Sequence, residues 1–333
     1  MQKTLRIGCF GLKGHQIHGH VRDLARAELR AFGGIPAEQW DEMQKEHPGK
    51  YDGVDFFEDF ESFLDRAEID LVSLCSPRRD DQAAHAAAAL QSGLHVLAEK
   101  PMATSIEQLA ALQSASESAA GSLRTMTAMI YFPAIQGMMR VIENGEIGEI
   151  VSIYAMKSYP YHPNRPQDRG IDGGLICQAG IHAVGTILHL TGLHFDEVFA
   201  YDTGIGNPQP GDLQMGATIS ARMNNGAVAS IVCNYCNPPK IGFWGNDQFR
   251  VHGTQGMIEL VDGLTRRTQC LGENPPETFP DFDPPRPYPQ DVVDAILDGT
   301  PSLLTPAAAM AETRTVLHIQ QSVDQGRPVP CHL

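Results

Sequence analysis

Two short segments, far apart in the chain, carry side chains suited to moving protons and hydride. Glu99-Lys100-Pro101 follows an apolar run at 94–98 and places a cation at the end of a predicted strand. Gln178 and His182 lie four residues apart, so the helix predicted to begin at Gly173-Gly174 would carry both on one face. Hydride removal from an alcohol needs a base for the hydroxyl proton and a cation near the oxygen. Histidine suits the first role near neutral pH, and lysine suits the second.

The first part of the chain alternates short apolar strands with helices. The predicted strands are 5–10, 28–32, 71–75, 95–98 and 124–129. The predicted helices are 16–27, 36–47, 81–91 and 105–120, the last capped by Ser105. This alternation predicts right-handed crossovers and a doubly wound parallel sheet.

After Pro133 the pattern changes to long alternating strands joined by Gly, Asn and Asp. These strands are predicted at 150–157, 198–202, 214–223, 227–235, 248–253, 257–261 and 265–270, with helices at 134–144, 291–297 and 306–325. Asn224-Asn225-Gly226 and Asp262-Gly263 are hairpin signals. The second half therefore predicts a large, mostly antiparallel open sheet with helices on one face. We expect two domains, 1–123 for a dinucleotide and 124–333 for substrate binding and oligomerisation.

Composition excludes several classes of partner. The 333 residues carry a net charge of −15 without a basic run, which argues against nucleic acid or an anionic membrane surface. The sequence shows neither a signal peptide nor an apolar stretch of spanning length, so a cytoplasmic protein is expected. The seven scattered cysteines are typical of reduced thiols. Cys233 and Cys236 would point to opposite faces of a strand, and no metal site is predicted.

The turn after the first strand is the candidate cofactor site. Glycines at such a strand-to-helix turn let a pyrophosphate approach the backbone, although they also serve plain tight turns. Its candidate residues are Gly11, Leu12, Lys13, Gly14, His15 and Gln16. The second strand ends at Gly33-Gly34, where an acidic residue would normally hold the ribose of NAD.

The E-K-P turn and the stretch from Gly173 to His182 resemble the hallmarks of the Gfo/Idh/MocA family of nicotinamide-dependent oxidoreductases, and the resemblance extends over nearly the whole chain. It implies a Rossmann-type domain that binds NAD or NADP, with no preference readable from the sequence. It places Lys100 beside the nicotinamide and the substrate oxygen, and makes His182 the acid or base. Gln178 stands where the family usually has an aspartate. The resemblance adds Ser76, Pro77, Arg78 and Glu99 to the cofactor site.

A loop before the catalytic helix carries aromatic and polar side chains that suit a polyhydroxylated ligand. The candidate substrate residues are Tyr159, Tyr161, His162, Arg165 and Asp172. A lid or an oligomer contact explains such a loop equally well.

The expected function is hydride transfer between NAD(P) and a sugar, cyclitol or related polyhydroxy compound. Two alternatives remain open: an NAD-dependent glycosidase or lyase with no net redox change, and a non-catalytic ligand-binding or regulatory protein. By resemblance, a homodimer or homotetramer would form through the C-terminal sheet.

Overall fold

The computed structural model describes residues 3–331, which pack into two compact units. The first unit comprises the chain up to Thr127 together with Arg286–Met310. The second comprises Ala128–Pro285 and the chain from Ala311 onward. The sequence prediction drew one boundary, after residue 123, whereas the chain passes from one unit to the other three times.

The first unit contains a six-stranded parallel sheet in the order β3-β2-β1-β4-β5-β6. Its strands are β1 (Leu5–Phe10), β2 (Ala27–Gly33), β3 (Asp55–Phe57), β4 (Leu71–Leu74), β5 (His95–Ala98) and β6 (Leu123–Thr125). Its helices include α1 (Ala37–Glu46), α2 (Phe60–Arg66), α3 (Arg79–Gln91) and α4 (Ile106–Ser118). The predicted doubly wound parallel sheet is confirmed. Ser105 also caps α4 as predicted, its side chain accepting a hydrogen bond from the Gln108 amide at 3.2 Å.

The helix predicted at 16–27 is wrong. Two 3-10 turns, Ile17–Gly19 and Val21–Asp23, occupy this segment, and β2 begins at Ala27. The segment supplies only Ile17 and Val21 to the core, which is less than the apolar stripe that an α-helix buries. Arg26 then ends it with a left-handed φ of 59°.

Other differences are shorter in extent. The strand predicted at 124–129 stops at Thr125, and a 3-10 turn follows at Ala128–Tyr131. β3 and α2, which are only three and seven residues long, are absent from the predicted elements. Elements of this length offer too few residues to display a period.

The second unit contains an eight-stranded sheet in the order β13-β12-β11-β7-β10-β9-β8-β14. Its strands are β7 (Ile150–Ser158), β8 (Phe195–Thr203), β9 (Gly216–Met223), β10 (Val228–Asn234), β11 (Gln248–Gly253), β12 (Gly256–Val261), β13 (Arg266–Leu271) and β14 (Val329–Pro330). All neighbours pair antiparallel except β7 and β10, which run parallel with Val228 opposite Ser152. The predicted, mostly antiparallel sheet is confirmed, and both predicted hairpins join adjacent strands.

Helices cover one face of this sheet. They include α5 (Pro133–Glu143) and α7 (Ile181–Thr191), while the short α6 (Arg169–Asp172) precedes α7 and α9 (Pro306–Gln325) follows later in the chain. α7 packs against α5 and β7. Along β9 and β10, Ile219 and Ile231 are buried on one side while Ser220 and Ser230 are exposed on the other. We call the side that carries Ser220 and Ser230 the outer face.

One further helix, α8 (Gln290–Asp298), belongs to the first unit. It is held there through Arg26, whose guanidinium lies 2.8 Å from the Asp294 carboxylate and 2.6 Å from that of Asp298. These contacts join residues more than 260 positions apart in sequence. The position of α8 in the first unit therefore depends on tertiary pairing that local sequence does not reveal.

The helical stretch Arg169–Thr191 is long and apolar enough to cross a membrane by length and composition. An 18-residue window of it is 83% buried inside the protein. That burial is typical of a core helix, and α7 at its end supplies Val184 and Ile187 to the core of the second unit.

Candidate functional site

The glycine turn after β1 presses directly against the end of β4. Gly11 has a φ of 75°, and a Cβ atom at this position would lie 1.9 Å from the Cys75 carbonyl oxygen. Gly14 has a φ of 137°, and its Cβ would lie 2.4 Å from the Glu99 carboxyl carbon. Only glycine satisfies both the backbone conformation and these contacts. The two glycines are therefore required by packing within the protein.

Gln16 stabilises this turn from inside. Its Nε2 donates to the carbonyl oxygens of Gly11 and Ser73, each at 3.0 Å. Its Oε1 accepts from the Ile17 amide at 2.9 Å and from the Ser73 hydroxyl at 2.5 Å. Gln16 thus joins the turn to β4 and caps the first 3-10 turn. A 3-10 turn, and not an α-helix, follows Gln16. This segment therefore does not provide the α-helix N-terminus that was expected to bind the pyrophosphate.

A buried carboxylate lies beneath the same turn. Glu99 accepts from the His15 amide at 2.9 Å and contacts the His15 ring Nδ1 at 3.0 Å. Lys100 Nζ lies 3.5 Å from the other Glu99 oxygen, and the Lys100 side chain is only 6% exposed. Burial alone would raise the pKa of Glu99, but the nearby charges of His15 and Lys100 lower that pKa to about 2. Glu99 is therefore ionised at neutral pH and fixes the lysine.

Two buried residues that the sequence analysis did not single out hold the E-K-P turn. Gln82, fully buried in α3, donates to the Glu99 carbonyl and, at 3.0 Å, to the Pro101 carbonyl. Arg79 donates to Gln82 and, at 2.5 Å, to the Lys13 carbonyl. The Lys100–Pro101 peptide bond is cis. Gln82 and Arg79 lie in an Ala-rich helix, where the local sequence does not indicate that they hold the E-K-P turn.

The predicted cofactor residues after β4 lie in two different environments, one buried and one exposed. Ser76 is buried, and its hydroxyl lies 3.0 Å from Nδ1 of His85. Pro77 and Arg78 are exposed, and Arg78 is paired with Asp80 at 2.6 Å. Leu12 and Lys13 lie on the turn itself, where Lys13 donates its amide to the Cys75 carbonyl at 3.4 Å. The turn and the β4 end thus form one continuous edge.

A cavity of about 600 Å³ opens at this edge. It is lined by Phe10, Gly34, Ile35, Pro36, Ala37, Glu38, Glu58, Phe60, Pro77, Asp81 and His85. Phe60 and His85 stack with ring centroids 4.2 Å apart. The cavity lies where the strand order turns from β1 to β4, which is where open α/β sheets bind nucleotides. Its size suits the adenosine part of a dinucleotide, and its lining combines aromatic and aliphatic side chains with three carboxylates.

Glycine is also required at the end of β2. A Cβ on Gly33 would lie 2.5 Å from the Phe57 carbonyl oxygen, and one on Gly34 would lie 2.8 Å from the Phe10 ring. An acidic side chain at these positions is therefore excluded by packing. Among the cavity residues described here, the carboxylates come instead from Glu38, Glu58 and Asp81.

In the second unit, the helix that carries Gln178 and His182 is irregular. Gly173 and Gly174 have φ of 85° and 72°, and end the short helix α6. Residues Ile176–Gly180 form a π turn before α7 begins at Ile181. The prediction of one regular helix is wrong here, because i to i+5 hydrogen bonding in a π turn changes the angular spacing of side chains.

His182 lies in the first turn of α7 and is 6% exposed. Gln178 is half-buried, and its Nε2 donates to the Asp172 carbonyl at 2.5 Å. An aspartate cannot make that bond, because an ionised carboxylate has no proton to donate. Gln178 thus holds the π turn to the end of α6.

The substrate loop residues do not form a single cluster. The Arg165 guanidinium lies over the Tyr235 ring at 3.6 Å from its centroid and 5.8 Å from that of Tyr159. Tyr161 instead accepts a hydrogen bond from Gln209 at 2.7 Å. His162 is exposed, and its Nδ1 accepts from the Asn164 amide at 3.2 Å.

Asp172 also serves a local role, since its carboxylate accepts a hydrogen bond from the Gly174 amide at 2.9 Å. It lies close enough to Tyr235 to act on that phenol electrostatically. Arg165 and Asp172 therefore share Tyr235 as a neighbour, and Arg165 also lies near Tyr159.

A buried ion pair that the sequence did not suggest lies beneath Tyr159. Lys157 Nζ is 2.5 Å from the Asp247 carboxylate and 4.7 Å from the Tyr159 ring centroid. Burial lowers the pKa of Lys157 and raises the pKa of Asp247, each opposed by the partner's charge. Lys157 and Asp247 are 90 residues apart in sequence, so no short motif predicts that they pair.

Within residues 3–331, no group of three or more His, Cys, Asp and Glu side chains is arranged to hold a metal ion. Cys233 is buried in β10, while Cys236 is exposed beyond the end of that strand.

The fold and these sites define an oxidoreductase with a nucleotide-binding unit. Residues 5–125 match the oxidoreductase family model with an NAD-binding Rossmann fold, and residues 135–259 match the C-terminal domain of the same family. The chain belongs to the Gfo/Idh/MocA family, and its cofactor is NAD or NADP.

Three curated relatives are oxidoreductases. The chain is 26% identical to the uncharacterised oxidoreductase YrbE of Bacillus subtilis over 71% of this chain and 68% of that protein. It is 25% identical to levoglucosan dehydrogenase of Pseudarthrobacter phenanthrenivorans, covering 74% and 72%. It is 24% identical to an NADP-dependent D-xylose 1-dehydrogenase of Haloferax volcanii, covering 73% and 74%.

Solved structures share the fold. A Thermotoga maritima protein, 23% identical, superposes with a TM-score of 0.89 over 98% of this chain and all of the other. An oxidoreductase domain protein of Kribbella flavida, 19% identical, gives 0.86 over 100% of both chains. At these identities the likeness establishes the architecture alone.

The close packing of Gly11 leads to a stability prediction. We expect Gly11→Ala to lower the free energy of unfolding by about 2–4 kcal/mol, because the methyl group must displace the Cys75 backbone at an unfavourable φ. Gly19→Ala is the control, since a Cβ there meets nothing within 4 Å and should change stability by less than about 0.5 kcal/mol. Urea unfolding followed by circular dichroism measures both. Equal stability of the two variants would contradict the packing argument.

Proposed function

We propose that this protein transfers a hydride between NAD(P) and a hydroxyl-bearing carbon of a sugar, cyclitol or related polyhydroxy compound. The observation that carries the proposal is the buried Lys100, held against an ionised Glu99 at the edge where the nucleotide binds. The names of the levoglucosan and D-xylose dehydrogenases support a carbohydrate substrate. We further propose that it works in the cytoplasm.

Each catalytic role follows from the chemistry of its side chain. When bound, the nicotinamide ring supplies the acceptor or donor of the hydride. His182 takes the hydroxyl proton during oxidation and returns it during reduction. The Lys100 ammonium stabilises negative charge that develops on the substrate oxygen. The buried surroundings of both residues strengthen these electrostatic interactions.

Gln178 has a positioning role in this proposal. Its hydrogen bond to the Asp172 carbonyl fixes the π turn that precedes His182. An amide neither carries charge nor exchanges a proton at ordinary pH. In this proposal His182 therefore transfers the proton without a carboxylate at position 178.

Removing either catalytic side chain tests the mechanism. We expect Lys100→Ala and His182→Ala each to lower kcat/KM at least about 100-fold on the sugar or cyclitol that a substrate screen identifies. Lys45→Ala and His47→Ala, at exposed positions in and just after α1, are matched controls and should keep full activity. Initial rates of NAD(P) reduction at 340 nm provide the measurement. Wild-type rates in both catalytic variants would overturn the assignment.

We also propose that NAD is the preferred cofactor. The carboxylates of Glu38, Glu58 and Asp81 line the cavity that fits the adenosine, and no lysine or arginine is among the described residues lining it. A 2′-phosphate placed there would meet like charge, whereas a ribose hydroxyl can donate a hydrogen bond to a carboxylate.

Titration calorimetry tests this preference without turnover. We expect NAD to bind at least about tenfold more tightly than NADP, the scale of one unfavourable charge contact. Replacing Glu38 and Glu58 by arginine should reverse the order. Glu143→Arg, an exposed change on α5 in the second unit, should leave it unchanged. Tighter binding of NADP by the unaltered protein would disprove the proposal.

The outer face of the eight-stranded sheet is our proposed oligomer interface. It is concave, with a cavity of about 650 Å³ lined in part by Tyr154, Phe199 and Val228. Val228 is 56% exposed and Tyr201 is 64% exposed on this face. An exposed apolar sheet face is typical of a subunit contact, so a homodimer or homotetramer is expected.

Light scattering after size exclusion tests the interface. We expect the wild-type mass to be two or four times that of the chain, and Val228→Glu to shift it toward the monomer because a charge would be buried at the contact. Ile205→Glu is the control, since Ile205 is 85% exposed in a loop beyond β8. A monomeric wild-type protein would refute the proposed assembly.

A further inference from the structure

Arg165 is a partly buried cation that lies against aromatic rings. Its guanidinium carbon is 3.6 Å from the centroid of Tyr235, a ring that is 2% exposed. Tyr159 provides a second ring at 5.8 Å. Such stacking restricts the plane of the guanidinium.

The Arg165 guanidinium forms no ion pair within the described part of the chain. Within residues 3–331 its buried Nε also has no hydrogen-bond partner. Two carboxylates belong to the same group of side chains: Asp247 is bound to Lys157 at 2.5 Å, and Asp172 accepts a hydrogen bond from the Gly174 amide at 2.9 Å. A partly desolvated cation of this kind is costly, and an anion bound near its guanidinium would offset that cost electrostatically.

The geometry favours a carboxylate over a phosphate. A guanidinium matches a carboxylate through two parallel hydrogen bonds. A phosphate group carries up to two negative charges and is usually bound by several cations. Here the neighbouring Lys157 is neutralised by Asp247, and the protein has a net charge of −15. Of these two cations only Arg165 has no ion pair, and the nearby Asp172 carboxylate disfavours a dianion more strongly than a monoanion.

Aromatic side chains beside Arg165 offer a surface for a carbon skeleton. Trp244 is 59% exposed, and its ring lies 6.1 Å from that of Tyr159. Exposed aromatic faces next to a cation suit a molecule with an apolar ring face and a charged end.

We infer that Arg165 recognises a carboxylate on the substrate, so that the substrate class is polyhydroxy acids, such as uronates or aldonates, and not neutral sugars. This inference rests on the proposed function and narrows its substrate class. Arg165 is then the specificity-determining residue of the second unit.

Fluorescence of Trp244 provides a binding assay that does not depend on turnover. A Trp40→Phe background leaves Trp244 as the only tryptophan, because the chain has two. D-glucuronate is compared with D-glucose, and D-gluconate with D-glucitol, each titrated in the presence of NAD. We expect at least one acid to bind about tenfold or more tightly than its neutral partner, the scale of a charge-assisted pair.

Substitutions at Arg165 test whether this residue causes the preference for the acid. Arg165→Gln should weaken binding of the acid about 10- to 100-fold and leave the neutral compound unchanged, while Arg165→Lys should restore part of the difference. Arg327→Gln removes an exposed arginine elsewhere in the same unit and should have no effect. Thermal unfolding of each variant separates loss of binding from loss of fold.

The outcomes distinguish the two proposals. Equal or tighter binding of the neutral compounds, tighter binding of glucose 6-phosphate than of glucuronate, or no binding of either acid would each overturn the carboxylate inference. NAD reduction by a neutral sugar would at the same time uphold the proposed function. Arg165-dependent binding of an acid without NAD reduction by any compound would uphold the carboxylate site and count against the dehydrogenase.

Discussion

The ionised, fully buried carboxylate of Glu99 is the constraint on which the nucleotide-binding edge depends. A buried charge is tolerated only when it is paired and hydrogen-bonded, and here the partners are His15 and Lys100. The same carboxylate leaves no space for a side chain at Gly14. The Glu99 carboxylate thus sets both the conformation of the glycine turn and the position of Lys100. Its hydrogen bond to the His15 amide joins residues that are 84 positions apart in sequence.

Two glutamines at the candidate sites have the same physical role. Gln16 and Gln178 each use a side-chain amide to donate to a backbone carbonyl, of Gly11 and Asp172 respectively. In the first case the amide stabilises a turn that no α-helix follows, and in the second it stabilises a π turn. Both glutamine side chains therefore donate hydrogen bonds to backbone carbonyls in segments where regular helical hydrogen bonds are missing.

The sequence predicts regular elements well and irregular ones poorly. Apolar runs and hairpin glycines located both sheets, because these signals are local. The 3-10 turns after Gln16 and the π turn at Ile176–Gly180 have no distinctive period. The roles of Gln82 and of the Lys157–Asp247 pair depend on contacts across long sequence separations. The family resemblance supplied Lys100 and His182, which composition alone does not distinguish from a surface lysine and a core histidine.

The return of residues 286–310 to the first unit has a consequence for biosynthesis. Arg26, near the start of the chain, has as its partners Asp294 and Asp298 of α8. The ribosome must therefore complete the whole second-unit segment 128–285 before the nucleotide-binding unit obtains its last helix. The N-terminal unit must wait during translation without this helix, so co-translational folding of this protein cannot proceed strictly unit by unit from the N-terminus.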